Sequence, residues 1–216
     1  MPPDDALPAW ATEEVHLAPY DGAWPSSARA FQGEIDGGLG PWLLRPVEHV
    51  GSTAVPGLLA KPVIDLMAMV GDPAAAGRQV QGRLQELGWE PVPPELDKRP
   101  WRLLFVKVAA DGAHRLAHLH LLVDGARRWD EQLRFREALR GDDRLRDEYA
   151  ALKRRLAEAF VADREGYTDA KAAFIQGVLR VHGASLRDLK GTVPPPTDAV
   201  TLEDIDEAIA ASAGDL

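Results

Sequence analysis

The segment His49-Val-Gly-Ser-Thr-Ala-Val-Pro-Gly57, followed by Lys61-Pro-Val-Ile-Asp65, contains the strongest fold signal in this chain. The residues at 46–50, which lead into this segment, predict a short strand. The glycine, serine and proline residues of the segment predict a loop at Gly51–Gly57. Val63–Val70 is apolar on both faces apart from Asp65, which is the pattern of a buried strand. The segment therefore predicts a loop at one end of a sheet, beside a strand that carries a single carboxylate.

Outward from this segment, strands and helices alternate. A first helix is predicted to end at the cluster of Gly37, Gly38 and Gly40, and the proline-rich stretch 89–100 is predicted to be a loop for most of its length. The predicted elements before residue 127 are helices over 23–35 and 72–87 and strands over 46–50, 63–70, 101–108 and 115–123.

From Arg127 onward the apolar residues recur at helical spacing. Gly141 and Gly166 divide this half into three predicted helices, over 127–140, 142–163 and 167–182. A mixed sheet followed by a helical half predicts one α/β (α+β) domain rather than two domains. The three consecutive prolines at 194–196 predict a stiff spacer, and the acidic tail beyond them is a candidate docking segment for a protein partner.

The composition narrows the classes of function. The chain of 216 residues has no cysteine, which excludes disulfides, thiolate zinc sites and cysteine nucleophiles and favours a reducing compartment. No signal peptide or membrane span is recognisable, so a cytoplasmic location is expected. Of the net charge of −9, the stretch 183–216 contributes −5, since it has seven acidic and two basic residues. This balance argues against nucleic acid as a partner but leaves room for a small anion in a local basic pocket.

The segment from His49 to Asp65 and many later residues together resemble the GrpB family. Glu137 is a mild departure, because the family has Asp at this position. The resemblance implies a nucleotidyltransferase-like fold, with a family domain over 19–182, an N-terminal extension over 1–18 and a spacer and tail over 183–216. The later residues that carry it are Arg102, Phe105, Lys107, His118, His120, Phe135, Arg136, Leu139, Arg140, Tyr149, Lys153, Asp163, Arg164, Tyr167, Thr168, Lys171, Phe174 and Ile175.

The turn at Gly51, Ser52 and Thr53 is a candidate phosphate-binding loop. In polymerase-like nucleotidyltransferases, a Gly-Ser turn after the first strand presents its hydroxyl and backbone N–H groups to a triphosphate. On the residues alone, Gly-Ser-Thr is also ordinary turn chemistry. Within the family resemblance, we favour the ligand-binding interpretation.

Asp65, His118 and His120 form a candidate metal site. A carboxylate in an apolar strand needs a partner, and His118 and His120 share one face of a predicted strand. With Asp65 they would form a two-histidine, one-carboxylate site for a divalent ion, provided that the two strands are neighbours. Alternatively, the histidines donate hydrogen bonds to a phosphate or to Asp65, and His49 could join either arrangement. Asp65 would also be the catalytic carboxylate of a transferase, although Val63 and Met67 leave the usual carboxylate set incomplete.

Several cations are candidates for neutralising a bound phosphate. Lys61 is the strongest, because it lies between the loop and Asp65, and Arg102 comes next. The alternative for Lys61, Arg102 and Lys107 is an ion pair with Asp65, and for the helical cations it is a solvated helix face. The helical candidates are Arg136, Lys153 and Lys171.

The sequence therefore predicts that a nucleotide or another phosphorylated small molecule binds between the sheet and the helical half. Metal-assisted nucleotidyl transfer is the activity that this arrangement would serve. The competing hypotheses are a catalytically silent module that binds a ligand or a protein, and an ancillary role carried by the acidic tail.

Overall fold

The computed structural model describes residues 7–13, 16–160, 166 and 170–181. The predictions for the spacer, for the acidic tail and for its protein partner lie outside these residues. The predicted domain boundary near residue 182 and both ends of the last predicted helix also lie outside them, so these stay predictions.

Five strands form one mixed sheet in the order β1-β2-β5-β4-β3. The central pair, β2 and β5, is parallel, and the other three pairs are antiparallel. This confirms the predicted mixed sheet. The strands are β1 (Glu48–Val50), β2 (Ile64–Val70), β3 (Trp89–Pro91), β4 (Leu103–Val108) and β5 (Arg115–Val123).

Six α-helices lie in the described part of the chain, three of them after the sheet, as predicted. Asp72 caps α2, because its carboxylate accepts hydrogen bonds from the backbone N–H groups of Ala74 and Ala75. The helices are α1 (Trp24–Leu39), α2 (Pro73–Glu86), α3 (Pro94–Asp97), α4 (Arg127–Gly141), α5 (Asp143–Ala159) and α6 (Ala172–Val181).

The first face of the sheet carries the main core. Helices α1 and α2 pack there against the apolar side chains that alternate along β2, β4 and β5, among them Leu66, Phe105 and Leu119. The second face is covered by two smaller clusters. In one, Trp129 of α4 packs on Met67 and Met69. In the other, Trp10 of the N-terminal segment packs on β4, so residues of the predicted extension contribute to the core.

The Gly51–Gly57 loop is held by the helical half. Val55 and Leu58 are fully buried in a cluster formed by side chains of α4, α5 and α6. Within it, the Tyr149 ring lies between the rings of Phe135 and Phe174, with ring centroids 5.2 Å apart in both contacts. The helices thus fix the loop relative to the sheet.

Two local predictions were wrong. Helix α1 continues through Gly37 and Gly38 to Leu39, because Leu39 is fully buried one turn after Ile35 and extends the apolar face of the helix. The stretch 89–100 is mostly β3 and α3 rather than mostly loop, since Trp89 is fully buried and β3 pairs with β4. Within the described ranges, no helix is both long and apolar enough to cross a lipid bilayer.

Candidate functional site

The parallel pairing of β2 and β5 brings the candidate metal ligands together. Asp65 lies opposite His118 in the register, and His120 follows on the same face. Asp65 Oδ1 lies 2.9 Å from His118 Nδ1 and 3.5 Å from His120 Nε2. One donor atom from each of the three residues lies within 4.8 Å of the others. We refer to Asp65, His118 and His120 as the Asp65 cluster.

The electrostatics of the cluster favour an ionised carboxylate between two neutral imidazoles. Burial alone would raise the pKa of Asp65, but hydrogen bonds from His118 and His120 outweigh it and hold this pKa below its usual range. Burial lowers the pKa of His118, and it lowers the pKa of His120 to about 4, although Asp65 opposes both shifts. At neutral pH each imidazole therefore has a nitrogen lone pair that can accept a hydrogen bond or bind an ion.

Trp101, Arg102 and Asp97 hold the His120 ring in place. They lie in a segment that was predicted to be a loop followed by the start of a strand. Trp101 stacks on the His120 ring, with centroids 6.1 Å apart and ring planes 5° from parallel. Arg102 Nη1 lies 2.5 Å from His120 Nδ1, and the same guanidinium is paired with Asp97. The predicted cation Arg102 thus reaches the Asp65 cluster. Sequence reasoning missed Trp101 and Asp97, whose only signal was their proximity to Arg102 in the chain.

Gly51 is the residue that lets the loop approach Asp65. Its backbone has φ 72° and ψ −169°, a region that is populated almost only by glycine. A Cβ at this position would overlap Asp65 Oδ2 and would lie 3.1 Å from Asp65 Cβ. Gly51 is therefore required both by its backbone conformation and by its contact with the carboxylate.

Gly51→Ala is expected to destabilise the fold by about 1–3 kcal/mol through backbone strain, and further through the displacement of Asp65. Urea denaturation measures the loss. Gly112→Ala is the matched control, because Gly112 has φ +71° and open space where its Cβ would be. Equal losses in the two variants would show that the contact with Asp65 is not constrained.

Ser52 and Lys153 meet at the other side of the loop. Lys153 Nζ lies 3.0 Å from Ser52 Oγ and donates a hydrogen bond to the carbonyl of Leu59. The Lys153 side chain is buried, and its Nζ lies 5.0 Å from the centre of the Tyr149 ring. Burial lowers the pKa of Lys153 to about 7, and the nearby charges of Lys171 and Arg154 add to this effect.

Lys171 is electrostatically connected to both halves of the site. Burial lowers the pKa of Lys171 to about 8, Asp65 opposes this shift and Arg99 assists it. Because Lys171 also lowers the pKa of Lys153, the two lysines and the Asp65 carboxylate act on one another within a single region. The structure thus brings together the loop, the Asp65 cluster and two of the predicted helical cations.

A comparison with known protein families matches this chain to one family over most of the described domain. The model of the family described as GrpB protein matches residues 14–180. The chain belongs to the GrpB family. The resemblance identified from the sequence is thereby confirmed.

Three known proteins illustrate what this chain is similar to. The UPF0157 protein BH1888 of Halalkalibacterium halodurans is 36% identical over 166 residues, which cover 77% of this chain and 81% of the relative. The crystal structure of GrpB from Enterococcus faecalis has 27% identity and a TM-score of 0.67, covering 77% of this chain and 96% of that one. The Cid1 poly(U) polymerase matches more distantly, with 15% identity and a TM-score of 0.45 over 65% of this chain and 42% of Cid1.

Within this GrpB domain, the predicted cations Arg136 and Lys107 have structural partners. Arg136 donates hydrogen bonds to the carboxylate of Glu48 and to the carbonyl of His49. The nearby Arg140 likewise donates to the carbonyl of Ala54, so both arginines hold the ends of the loop. Their guanidinium groups serve the backbone rather than an open anion site.

Lys107 lies away from the Asp65 cluster. In the register Lys107 pairs with Ala117, whereas Val106 pairs with His118, so Lys107 and His118 point to opposite faces of the sheet. Lys107 Nζ is bound by Glu34 Oε2 at 2.7 Å. The structure does not bring Lys107 to the site. Lys61 lies in the half-buried segment that leads into β2, as its sequence position predicts.

The side chains of Thr53 and His49 contact each other on the buried side of the loop. His49 Nε2 lies 2.9 Å from Thr53 Oγ1, and Thr53 is buried. Burial lowers the pKa of His49 to about 4, with Asp65 opposing and Arg140 and Arg136 assisting the shift. Thr53 and His49 thus stabilise the loop from behind, while Gly51 and Ser52 lie nearer to the cluster and to the lysines.

Proposed function

We propose that this GrpB-family chain binds a phosphorylated ligand of the nucleotide class, together with a divalent metal ion held by Asp65, His118 and His120. The observation that carries the proposal is the meeting of the Asp65 cluster with the Gly51–Ser52 turn. An anionic ion-binding group and a turn bordered by lysines are the two parts that a metal–phosphate complex needs.

The spacing of the cluster fits one metal ion. Two ligands each about 2.1 Å from an ion are separated by about 3.0 Å at a right angle and about 3.4 Å at the tetrahedral angle. The contacts from Asp65 Oδ1 to His118 and His120 are 2.9 and 3.5 Å. Two imidazoles and one carboxylate favour zinc, iron or a similar transition metal over magnesium. A bound ion would supply Lewis-acid polarisation of a phosphoryl oxygen.

The phosphate side of the proposal rests on Ser52 and the lysines. Ser52 is half-buried on the loop. Lys153 and Lys171 supply positive charge in their protonated forms. No described carboxylate forms an ion pair with Lys153 that would neutralise its charge. Arg102 borders the cluster from the other side. Lys61 remains a proposed contact by its position between the loop and β2, whereas the buried Thr53 hydroxyl is bound by His49.

Metal-assisted nucleotidyl transfer is the activity that we assign to this arrangement, with Asp65 as the catalytic carboxylate. The carboxylate would hold the ion that stabilises the charge developing on the phosphoryl group. Val63, just before β2, and Met67, on β2, lie two residues to either side of Asp65, and both are buried apolar residues. The proposed chemistry therefore uses one carboxylate and two imidazoles rather than a carboxylate pair.

A second candidate, a binding module without catalysis, is favoured by the contact between Arg102 and His120. Because a guanidinium only donates, it requires a lone pair on His120 Nδ1 and leaves the ring proton on Nε2, facing Asp65. His120 could bind an ion through Nε2 only after Arg102 left Nδ1. Without that change, the cluster is a hydrogen-bonded network that orients Arg102 towards a ligand.

Metal analysis followed by ligand titration tests the proposal. Protein purified without added metal is analysed for bound ions. It is then melted with ATP or inorganic phosphate in the presence of zinc, manganese, magnesium or EDTA, while phosphate and pyrophosphate release is followed. We expect one ion per chain and a larger ATP-induced rise in Tm with the ion than with EDTA.

The outcomes separate the two candidates. Pyrophosphate release supports nucleotidyl transfer, whereas ATP binding with neither bound metal nor product release supports the binding module. If ATP and phosphate leave Tm unchanged under every condition and no product is released, the proposal is wrong.

A further inference from the structure

We propose that Ser52 is a nucleophile and that Lys153 is its general base, so that Ser52 accepts a phosphoryl group from a nucleoside triphosphate. This rests on the proposed function for the identity of the phosphoryl donor. It goes beyond that function, because transfer of the terminal phosphoryl group to Ser52 is a second reaction of the bound nucleotide, distinct from nucleotidyl transfer, and it modifies the chain itself.

The contacts of Lys153 suit a base. Its Nζ has two partners among the described residues, the carbonyl of Leu59 and the hydroxyl of Ser52. A carbonyl only accepts, so one N–H of the amine is directed to Leu59. A neutral amine then has its lone pair free to receive the Ser52 hydroxyl proton across 3.0 Å, which is within the range for proton transfer.

The surroundings keep the amine available in its neutral form. The Lys153 side chain is 1% exposed, and within the described part of the chain it forms no ion pair with a carboxylate. Among the described residues, the charged groups that act on it are Lys171 and Arg154, both cations, and the Tyr149 ring packs beside it. The resulting pKa of Lys153, about 7, makes a base that is about half neutral at physiological pH.

The positions of the neighbouring charges favour a phosphoryl group over an acyl group. Lys171 adds a second cation near the pair, and the Asp65 cluster lies directly beside Gly51, the residue before Ser52. An electrophile that reaches Ser52 is therefore exposed to cationic side chains and to the proposed ion, which stabilise an anionic phosphoryl group.

The step is balanced. The Ser52 oxygen forms a bond to the terminal phosphorus as its proton moves to Lys153 Nζ. The bond from that phosphorus to the bridging oxygen breaks, and a nucleoside diphosphate leaves with the electron pair. The products are phosphoserine at position 52, a protonated Lys153 and the diphosphate. Arrangements in which a lysine activates a serine hydroxyl serve acyl transfer in other proteins.

The experiment incubates the full chain with ATP, or with acetyl phosphate, and measures its intact mass and the modified peptide. We expect one phosphate, on Ser52. Ser52→Ala should lose the label, while Ser26→Ala, which removes an exposed serine of α1, should keep it. Lys153→Arg keeps the positive charge but removes the base, and should slow labelling by about 100-fold or more.

Two further measurements keep the test decisive. The labelling rate should rise with pH through about 7, since the base must be neutral; a lysine that acts only as a cation would give a rate that falls instead. Lys153→Met tests the same role if Lys153→Arg does not fold. ATP binding without label on Ser52 overturns this inference and leaves the proposed function standing. Label from acetyl phosphate without ATP binding supports the Ser52–Lys153 pair and refutes the nucleotide.

Discussion

Asp65→Asn is expected to lower the affinity of the chain for a divalent ion by at least about 100-fold while leaving the fold intact. Asparagine keeps the shape of the side chain but removes the only carboxylate of the Asp65 cluster. It can still accept a hydrogen bond from His118, so the pairing of β2 and β5 is retained. Competition with a chromogenic chelator measures the affinity, and circular dichroism checks the fold.

Glu48→Gln is the matched control for this variant. Glu48 lies on β1, opposite Met67 of β2, and its side chain is 34% exposed, compared with 32% for Asp65. It removes the same charge from a neighbouring strand without touching the cluster. Wild-type metal affinity in Asp65→Asn, or an equal loss in Glu48→Gln, would contradict the assignment of Asp65 as a ligand.

The same variant separates the two candidate functions. If the chain is a transferase, Asp65→Asn should lose turnover while ATP binding survives, because the ion stabilises the transition state more than the ground state. If the chain is a binding module, the variant should bind ATP in EDTA at least as tightly as the wild type, since a nearby negative charge has been removed. Weaker ATP binding in EDTA would contradict both expectations.

From the sequence it could be predicted only which residues of the Asp65 cluster share a strand face, not that the two strands are neighbours. Alternation along a strand places His118 and His120 on one side, and the apolar surroundings of Asp65 demand a partner. The sequence does not show that β2 and β5 are neighbours, or that they are parallel with Asp65 opposite His118. That pairing follows from the order of the sheet, which is set by how all five strands and their covering helices pack.

The roles of the cations could not be predicted for a related reason. Lys107 and Arg102 were both assigned to the ligand, but their partners, Glu34 and Asp97, are contributed by α1 and α3. The helix α3 falls within the stretch that was predicted to be a loop. Helical spacing likewise shows that Arg136 and Arg140 share a face, but not that this face lies against the carbonyl groups of the loop.

Lys153 is expected to make the stability of the chain depend on pH. The pKa of its ammonium group is about 7 in the folded protein, compared with 10.5 in a lysine without interactions. Between these values the unfolded chain binds a proton that the folded chain does not. The contribution of Lys153 to the free energy of unfolding is therefore lowest below pH 7, rises between pH 7 and about 10.5 and is constant above that range. The rise amounts to about 2–3 kcal/mol between pH 6 and pH 9.

Urea denaturation of the wild type and of Lys153→Met at pH 6 and pH 9, in EDTA, measures this contribution. Methionine has a similar length and no charge, so the rise with pH should shrink by about 2–3 kcal/mol in the variant. Part of the rise should remain, because burial also lowers the pKa of Lys171 and of the histidines His49, His118 and His120. Lys107→Met, which removes a lysine from the other face of the sheet, should keep the full rise.

At pH 6 the direction of the effect distinguishes a functional lysine from a structural one. Lys153→Met removes a buried charge, but it leaves the Ser52 hydroxyl and the Leu59 carbonyl without their partner, at a cost of about 1–3 kcal/mol. Because the penalty for the buried charge is on the order of 5 kcal/mol below pH 7, the variant should be more stable than the wild type there. A wild-type protein that is more stable than Lys153→Met at pH 6, with an unchanged rise to pH 9, would show that Lys153 is kept for stability. The opposite result would show that the chain retains this buried amine at the expense of its own stability, as the role of a base for Ser52 requires.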